Sequence, residues 1–389
     1  RRRKRKTSCL PLFSSCSAGG IVMIHQGQLE VFDLTLTAKA PVFIGSGKSY
    51  VKKEYVFLTP RFARVSCDEV MLLDETKFFH LLLERKLEDK YIQFMLGAQT
   101  DLYRFLTAEC CLSLNDIRAV SRYSIAAADA LDAEHSLKEI NAFVRGADGR
   151  VYVPGSSVKG ALRTAILTDW ILSDNSPHSA FGDTRKGFPE GTYLHTLKLK
   201  KDRNGAVLDD AVNSILRGLS ISDSLPVSDT CMILAGKIDA DPDGQTHRIN
   251  LCRECIRPGT ALHFKLTLDQ SVLHQKITAE GLMRSIRTFD SFYEKAYLRH
   301  FTAPRHAAEV SYDSTLFLGG GVGFFSKTLT YPYLGEKDGL QAAINELNRS
   351  FRKHRHEEDR ADGISPRTTK YALYEGELYP YGLCEVKLS

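Results

Sequence analysis

The residues best suited to chemistry follow a short predicted strand that ends in a Pro-Gly pair. The helix predicted to begin there carries two hydroxyls and two cations near its start; these residues are Gly155, Ser156, Ser157, Lys159 and Arg163. Ser156 or Ser157 is expected to cap the helix, and the two cations, four residues apart, project from one face. Because a helix start favours anions, this corner is predicted to bind phosphate. An ordinary capped helix with a solvated basic face is the alternative.

Two glycine-rich segments are further candidates for close contact with a ligand. The first ends like a nucleotide-binding P-loop but has Val42 where that pattern requires glycine, and the second departs from the dinucleotide fingerprint. The two segments comprise Gly45, Ser46, Gly47 and Lys48, and Gly319, Gly320 and Gly321. We interpret both as places where bare backbone passes close to a sugar-phosphate chain or a neighbouring strand. A simple tight turn is the alternative for each.

A ribonuclease would need clustered carboxylates for metal-dependent cleavage or a well-placed histidine for acid–base cleavage. Asp183 and Asp223 are candidates by type, but both stand in segments where a turn or structural role is favoured. The 12 histidines show no catalytic pairing. We therefore expect no catalytic residue and no intrinsic cleavage, and an endoribonuclease is the alternative.

One Cys-x-x-Cys pair flanked by histidines raises the alternative of a structural zinc site. The four residues are His247, Cys252, Cys255 and His263. Their spacings are irregular and no second such pair follows, so cysteines that occupy strand positions are the favoured interpretation. We expect no metal and no cofactor.

The formal net charge of +5 is concentrated at the amino terminus. Residues 1–22 hold six basic and no acidic residues, which leaves −1 for residues 23–389. Any nucleic-acid surface is therefore expected to be a local stripe. We interpret residues 1–22 as a leader that is non-native or disordered, with a basic nucleic-acid arm as the alternative. A basic stretch in residues 185–203 is either a hairpin that reaches RNA or protein, or a solvated loop.

The pattern of apolar residues predicts short strands separated by helices, which favours an α+β sandwich with a possible ferredoxin-like, split βαβ core. The predicted strands are 28–37, 54–58, 151–153, 218–225 and 261–268. The predicted helices are an insertion over about 74–145, then 278–300 and 340–351. Residues 352–362 are dense in charge and are expected to be solvated.

Size and cysteine content bound the class of protein. A chain of 389 residues can hold two domains or one elaborated domain. Its nine cysteines follow no disulfide-like rhythm, which favours a reduced, cytoplasmic compartment. No apolar run approaches the length of a transmembrane helix, so no membrane partner is expected.

Taken together, the segments resemble a known family. VPGSSVKGALRT at residues 153–164 resembles the "PGSSxKGAxR" box of the RAMP superfamily, VFIGSG at 42–47 resembles its N-terminal box, and LGGGVGFFSKT at 318–328 is similar to its glycine-rich loop. Further matches narrow the resemblance to the fifth subunits of type III-A CRISPR Csm complexes. These are FGD at 181–183, ISD at 221–223, RPGT at 257–260 and SPRT at 365–368.

The resemblance implies an architecture and a function. The fold would be an RRM-like RAMP core with the helical insertion in residues 23–250, and a C-terminal α/β module with the glycine-rich loop in residues 251–389. The chain would be a non-catalytic subunit that binds CRISPR RNA (crRNA), caps the complex at the RNA's 3′ end and supports crRNA maturation and antiviral defence. Its partners would be crRNA, the repeated RAMP backbone subunit, the small helical subunit, nearby target RNA and possible host nucleases.

The three segments named first would supply the RNA contacts, and single-stranded RNA could stack on Tyr50 or Phe324. Phe43 stands where the family's N-terminal box usually has histidine, which makes a catalytic role at that position still less favoured. A protein-only assembly subunit is the remaining alternative, because a net charge near zero removes the usual electrostatic sign of RNA binding.

Overall fold

The computed structural model describes residues 28–61, 63, 65–130, 139–174, 190–302, 314–351, 353 and 355–389. The predicted leader, Asp183 with its FGD segment, and residues 185–189 of the basic stretch lie outside the described residues. The remainder forms a mixed α/β structure with two sheets and several helices.

The elements are numbered along the chain. The strands are β1 (Leu29–Ala38), β2 (Gly45–Tyr50), β3 (Tyr55–Leu58), β4 (Glu69–Leu73), β5 (Ser121–Ala126), β6 (Ile140–Phe143), β7 (Leu219–Ile221), β8 (Met232–Ala240), β9 (Thr246–Ile256), β10 (Ala261–Asp269), β11 (Thr315–Phe317), β12 (Thr369–Tyr374), β13 (Glu377–Pro380) and β14 (Leu383–Leu388). The helices are α1 (Glu75–Glu84), α2 (Glu88–Leu96), α3 (Leu102–Arg104), α4 (Leu114–Ala119), α5 (Gly155–Ser173), α6 (Glu190–Leu194), α7 (Gln270–Leu273), α8 (Ala279–Ala296) and α9 (Thr330–Ser350).

The first sheet has five strands in the order β11-β14-β1-β10-β7, and its neighbouring strands all run antiparallel. In the central strand, β1, Leu34, Leu36 and Ala38 are buried while the residues between them are more accessible. This follows from the two-residue repeat of a strand, in which successive side chains point to opposite faces. The strands predicted over 28–37 and 261–268 are confirmed as β1 and β10.

The second sheet follows the order β2-β6-β9-β8-β5-β4-β3, and β12 with its hairpin partner β13 adds to β8. β2 is therefore an edge strand. The pairs β6–β9 and β5–β8 are parallel, and the others are antiparallel. The boundary expected at residue 250 falls inside β9, so the backbone has no break there. The division into two domains at that residue stays a prediction.

Helix α5, which carries the Ser-Lys-Arg segment, packs against α8 in the main core. A buried polar contact joins them: Asp169, 4% exposed, accepts hydrogen bonds from Ser285 Oγ at 2.8 Å and Thr288 Oγ1 at 3.0 Å. Since a buried carboxylate is costly without such partners, this contact favours one relative placement of the two helices. α5 is therefore held against α8 near its carboxyl-terminal end.

The helical insertion is shorter than predicted. Helices α1 to α4 end at Ala119, and the rest of the predicted range contains strands β5 and β6, which join the second sheet. Over a few positions, the apolar residues of these strands fit the repeat of a helix as well as that of a strand. Helical spacing alone therefore predicted helix beyond the point where the helices end. The insertion has its own cluster of buried side chains, including Phe78, Leu82 and Phe105, which packs under β3 and β4.

Three local expectations are also corrected. Of residues 151–153, Val151 makes isolated bridges to Arg145 and Val227 and no named strand forms. The helix predicted over 340–351 is the end of a longer helical segment that begins at Thr330 and is interrupted by a kink at Gly335, where φ is +75°. The charged stretch 352–362 is not wholly solvated: Asp359 is 1% exposed and accepts hydrogen bonds from Ser365 Oγ at 2.7 Å and from the His356 ring. Charged residues enter a core when such partners are present.

None of the helices in the described part of the chain combines the length and the apolar character needed to cross a bilayer.

Candidate nucleic-acid interface

One cleft of about 390 Å³ brings the three predicted segments together. Its wall is formed by Gly45 at the start of β2, by the first turns of α5, and by the glycine-rich loop after β11. Of the predicted residues, those lining this cleft are Gly45, Ser156, Ser157, Arg163, Gly319 and Gly320. The remaining ones belong to the same three segments but do not line the cleft; they are Ser46, Gly47, Lys48, Gly155, Lys159 and Gly321.

The glycine-rich loop lies directly against the N-terminal box. The Gly320 amide donates a hydrogen bond to the Phe43 carbonyl at 2.8 Å, and Gly319 forms a bridge to the same residue. Gly319 has a φ of +90°, and a Cβ added there would stand 2.1 Å from the Phe43 carbonyl oxygen. Glycine is required at this position both by the backbone conformation and by the close approach. Bare backbone does pass close to another segment here, as predicted, and the segment that it contacts is the protein backbone at Phe43.

The start of α5 is built differently from the prediction. The N-cap residue is Pro154, which makes no side-chain cap, so Ser156 and Ser157 are not capping residues. Asp223, in the loop after β7, supplies the carboxylate instead, and its Oδ1 accepts a hydrogen bond from the Gly155 amide at 2.9 Å. A carboxylate at the positive end of a helix is stabilising, but it also occupies part of the site predicted for a phosphate.

The two cations of the segment have different surroundings. The Arg163 guanidinium forms a two-pronged ion pair with Glu190 of α6, at 2.8 Å for Nε and with a second contact through Nη2. Lys159 has no carboxylate partner among the residues that the structure describes, and partial burial lowers the pKa of its ammonium. Lys159 is thus the cation that an incoming anion could pair with, while Arg163 would first have to share or leave Glu190.

The residues that open β2 are exposed to solvent along the edge of the second sheet. Gly45, Ser46, Gly47 and Lys48 are all exposed. The register to β6 is irregular between Gly45 and Ser49, and Gly47 has a φ of +82°. Ser46 Oγ donates to the Ala142 carbonyl at 3.2 Å. This bulged edge leaves the backbone of the segment open to a ligand beside the cleft.

Lys327 is a cleft residue that the prediction from sequence missed. It lines the cleft together with Ser326, and it is exposed. A signal for it was present, because it lies within the same glycine-rich segment, but only the glycines and Phe324 of that segment were considered as contacts. Together with Arg163 it gives the cleft lining two cationic residues.

The Phe43 ring, which replaces the usual histidine, anchors the segment. The Arg253 guanidinium carbon lies 5.3 Å from the centre of the Phe43 ring and 5.2 Å from that of Tyr381. Gly321 allows this cation to approach, since a Cβ there would stand 2.6 Å from Arg253 Nη1. Cation–π contacts of this kind stabilise packing. At this position the chain therefore has a side chain that packs against a cation, and not an ionisable side chain such as histidine.

The two aromatic residues considered for stacking are partly buried against the main core. Tyr50 Oη lies 3.4 Å from Tyr123 Oη, and the Phe324 ring meets Phe325 edge-on at 5.9 Å. Their role in stacking RNA bases stays a prediction.

Neither competing chemistry finds an assembled site in the described residues. Asp223 is engaged at the start of α5, and Asp183 lies outside the described residues. Among the residues described, no group of three or more His, Cys, Asp or Glu side chains is placed to hold a metal ion. Cys252 and Cys255 are buried in β9, where burial raises the pKa of the Cys255 thiol, and His247 pairs with Asp241.

The basic stretch is described from residue 190 onwards. Lys200 pairs with Asp210, and Lys201 forms a bridge to Val207, so these residues make a closed loop. A contact of this loop with RNA or with a protein neighbour stays a prediction.

Comparisons with known proteins agree with the motifs. Two curated relatives carry the name "CRISPR system Cms protein Csm5". The Streptococcus thermophilus protein is 28% identical over 77% of this chain and 80% of its own length. The one from Mycobacterium tuberculosis strain CDC 1551 is 25% identical over 92% of this chain and 98% of its own.

Solved structures share the fold. A chain in the structure entitled "Cryo-EM structure of Csm-crRNA-target RNA ternary complex in type III-A CRISPR-Cas system" has a TM-score of 0.64 at 17% identity, covering 92% of this chain and 100% of that chain. T. onnurineus Csm5 has a TM-score of 0.59 at 16% identity, covering 90% and 99%. The sequence model of a protein family described as the RAMP superfamily matches residues 35–385 of this chain. With the motifs, the fold and this match in agreement, the chain belongs to the RAMP superfamily.

Proposed function

We propose that this chain is the non-catalytic crRNA-binding subunit at the 3′ end of the guide in a type III-A Csm complex, acting in the cytoplasm in crRNA maturation and antiviral defence. The observation that carries the proposal is the convergence of Gly45, the start of α5 and the loop Gly319–Gly321 on one cleft. The relatives named Csm5 and the fold shared with a chain of a Csm-crRNA-target RNA complex support it.

The cleft suits a sugar-phosphate backbone better than a base. Its walls contain glycines, hydroxyls and cations, which contact phosphates without reading sequence. Lys159 and Lys327 would neutralise phosphates, and Ser156 and Ser157 would donate hydrogen bonds to phosphate oxygens. Asp223 at the helix start directs the phosphates toward the lysines and away from the Gly155 amide.

The sheet order supports the RRM-like core that the resemblance implies. β1 lies between β14 and β10, β10 pairs with β7, and α5 and α8 follow β1 and precede β11 in the chain. This is the order of a split βαβ, with β14 inserted beside β1. We propose this first sheet with α5 and α8 as the RAMP core.

The lack of catalysis is part of the proposal. Phe43 cannot transfer a proton, and Asp223 has a structural partner in the Gly155 amide. An endoribonuclease, the competing function, would have to use groups outside this arrangement.

Salt-dependent RNA binding tests the proposed function. Lys159→Ala/Lys327→Ala is expected to weaken binding of a single-stranded crRNA 3′ fragment about tenfold at moderate salt, and to flatten the slope of log affinity against log salt by about 1.4, or about 0.7 for each lost phosphate contact. Fluorescence anisotropy across a salt series measures both quantities, and gel analysis of the same samples reports whether the RNA stays intact.

The matched control removes two cations from the helical insertion, in Lys77→Ala/Lys90→Ala, and is expected to bind RNA like the unchanged chain. Equal affinities and slopes for both double variants would contradict the proposed cleft. Cleavage of the RNA by the purified chain would contradict the non-catalytic role.

An assembly role is supported by a separate observation on the helical insertion. The outer faces of α1 and α2 expose large apolar side chains, at 53% for Phe79, 60% for Leu83, 53% for Ile92 and 84% for Leu96. Grouped apolar exposure of this kind is typical of a protein contact. We propose that this face meets a neighbouring protein subunit, the repeated RAMP backbone subunit or the small helical subunit, while the cleft binds RNA and lies near target RNA and any recruited nuclease.

Leu83→Glu/Leu96→Glu is expected to lower incorporation of the chain into the complex at least tenfold, because burying each leucine contributes about 1.5–3 kcal/mol. Co-purification with the other subunits measures it. The control Leu29→Glu/Phe351→Glu changes side chains that are 40% and 50% exposed elsewhere and should assemble normally. If both double variants assemble normally, the α1–α2 face is not the contact with a neighbouring subunit. The RNA affinity of the isolated chain should be unchanged in both double variants.

A further inference from the structure

A second cleft, of about 490 Å³, opens beside the start of β10. It lies where three parts of the chain meet: the segment Leu225–Cys231, the turn Arg257–Ala261 and the end of β12 at Tyr374. Its lining residues and those of the first cleft do not overlap. The motifs assign no role to it beyond the family match of the RPGT turn.

The turn that forms one wall is held rigidly. The Arg257 amide donates to the Cys231 carbonyl at 2.9 Å, and the Gly259 amide donates to the Ala38 carbonyl at 2.7 Å. Gly259 has a φ of +86°, which favours glycine in this tight turn. The exposed Arg257 side chain is thereby presented from a fixed backbone. A preorganised cation of this kind is well placed to meet an anion.

The cleft also contains a polar group that lacks a partner. Thr260 is 8% exposed, and its Oγ1 makes no hydrogen bond to any residue the structure describes. A buried hydroxyl without a partner is unfavourable. Because Oγ1 itself is shielded from solvent, a small shift of the turn would let a ligand supply the missing partner and gain affinity. His263, exposed on β10, adds a ring nitrogen to the same wall, with its Nδ1 3.3 Å from Thr35 Oγ1.

An aromatic ring and an exposed leucine form the apolar part of the second cleft's lining. Tyr374 is half-buried, and its ring packs edge-on against Tyr379 at 5.9 Å. Burial raises the pKa of Tyr374 to about 12, with a further contribution from Glu375, while Arg257 acts in the opposite direction. Arg257 and Tyr374 both line this cleft, so a cation and an aromatic ring face the same space. Leu225 is 65% exposed at the cleft, which is a costly position for a leucine without a ligand.

We propose that this second cleft binds one nucleotide of single-stranded RNA. The base stacks on Tyr374 and contacts Leu225, the phosphate pairs with Arg257, and the Thr260 hydroxyl hydrogen-bonds the base edge or the ribose 2′-hydroxyl. Aromatic stacking combined with a cation and a hydroxyl is the usual chemistry of single-strand recognition. The inference rests on the proposed RNA-binding function and extends it from phosphate contacts to recognition of a nucleotide.

A short piece of chain connects the start of α5 with the second cleft. Asp223 accepts the Gly155 amide at the start of α5, and Leu225, two residues later, lines the second cleft. Two extended residues span about 7 Å, so this edge of the second cleft lies within about that distance of the Asp223 backbone. The Leu225 amide is itself held by the His263 carbonyl at 3.0 Å, which keeps this linker in place.

Variants of the full chain test the second cleft. Tyr374→Ala and Thr260→Val are each expected to weaken binding of a single-stranded RNA about tenfold, whereas Tyr374→Phe, which keeps the ring, should bind within twofold of the unchanged chain. Thr260→Val keeps the side-chain shape and leaves Tyr374 in place. Its effect on RNA binding therefore does not depend on whether the Tyr374→Ala chain folds. RNA carrying 4-thiouridine is expected to crosslink to the peptides that contain residues 225–231 and 257–263.

The outcomes separate this inference from the proposed function. If Tyr374→Ala and Thr260→Val bind RNA normally and no crosslink reaches these peptides, while Lys159→Ala/Lys327→Ala still weakens binding, the second cleft is not a nucleotide site. If the unchanged chain binds no RNA, the proposed function and this inference both fail. A crosslink of these peptides to a neighbouring protein subunit in the assembled complex, in place of RNA, would also overturn the inference.

Discussion

Gly155→Ala is expected to lower the free energy of unfolding by about 3 kcal/mol, because the added methyl overpacks a tight contact. A Cβ at Gly155 would stand 2.2 Å from the Ile221 carbonyl oxygen and 2.4 Å from that of Ser222, and both neighbours are backbone atoms of the segment that leads to Asp223. The start of α5 would have to move away from β7 and would lose the hydrogen bond to Asp223. Denaturant unfolding measures the change in stability.

The same helix contains the control. Gly160 has no atom within 4 Å of an added Cβ outside the helix's own backbone, so Gly160→Ala is expected to raise the free energy of unfolding by up to about 1 kcal/mol. Opposite signs for the two variants would show that the Gly155 position is a packing requirement. If both variants unfold at the same denaturant concentration as the unchanged chain, the contact between α5 and β7 is not as described.

Gly319→Ala is expected to weaken RNA binding more than tenfold and to destabilise the fold by about 3 kcal/mol, from a strained φ and a clash together. Its Cβ would lie 2.1 Å from the Phe43 carbonyl oxygen, which also accepts the Gly320 amide. The glycine-rich loop would separate from the N-terminal box, and the cleft between them would change shape. RNA affinity and unfolding are measured on the same purified variant.

Gly47→Ala is the matched control, because Gly47 also has a positive φ, of +82°, but nothing lies within 4 Å of an added Cβ. This variant isolates the cost of backbone strain, about 1 kcal/mol. A Gly319→Ala chain that behaves like Gly47→Ala would show that the loop and the box are not in tight contact. Loss of RNA binding in Gly319→Ala at a temperature where the chain is still folded would connect the cleft to the proposed function.

Sequence patterns were reliable where a single segment determines its own structure. The alternation in β1 and the amphipathic spacing of α8 depend on neighbours within a few residues, so the strand at 28–37 and the helix at 278–300 could be predicted. The pattern was ambiguous after Ala119, where short apolar stretches fit helix and strand equally well. There the second sheet decided in favour of β5 and β6.

For the candidate site, the residue types of the three segments were sufficient to indicate the superfamily and to pick out segments that meet at one cleft. The electrostatics of the site were not contained in those segments. Glu190 neutralises Arg163, and Asp223 caps α5 in place of a serine. Each comes from an element distant in sequence, and no local periodicity specifies such a pairing.

By itself, the amino-acid sequence of this protein determined its strongly patterned elements, such as β1 and α8, and its membership of the RAMP superfamily, because both depend on residue type and short-range spacing. Only the tertiary structure decided that Gly319 lies against Phe43, that Lys327 lines the same cleft as the start of α5, and that a second cleft, with an unpartnered Thr260 hydroxyl in its wall, opens beside the start of β10. Long-range packing sets these contacts, and their geometry exists only once the strands and helices are assembled.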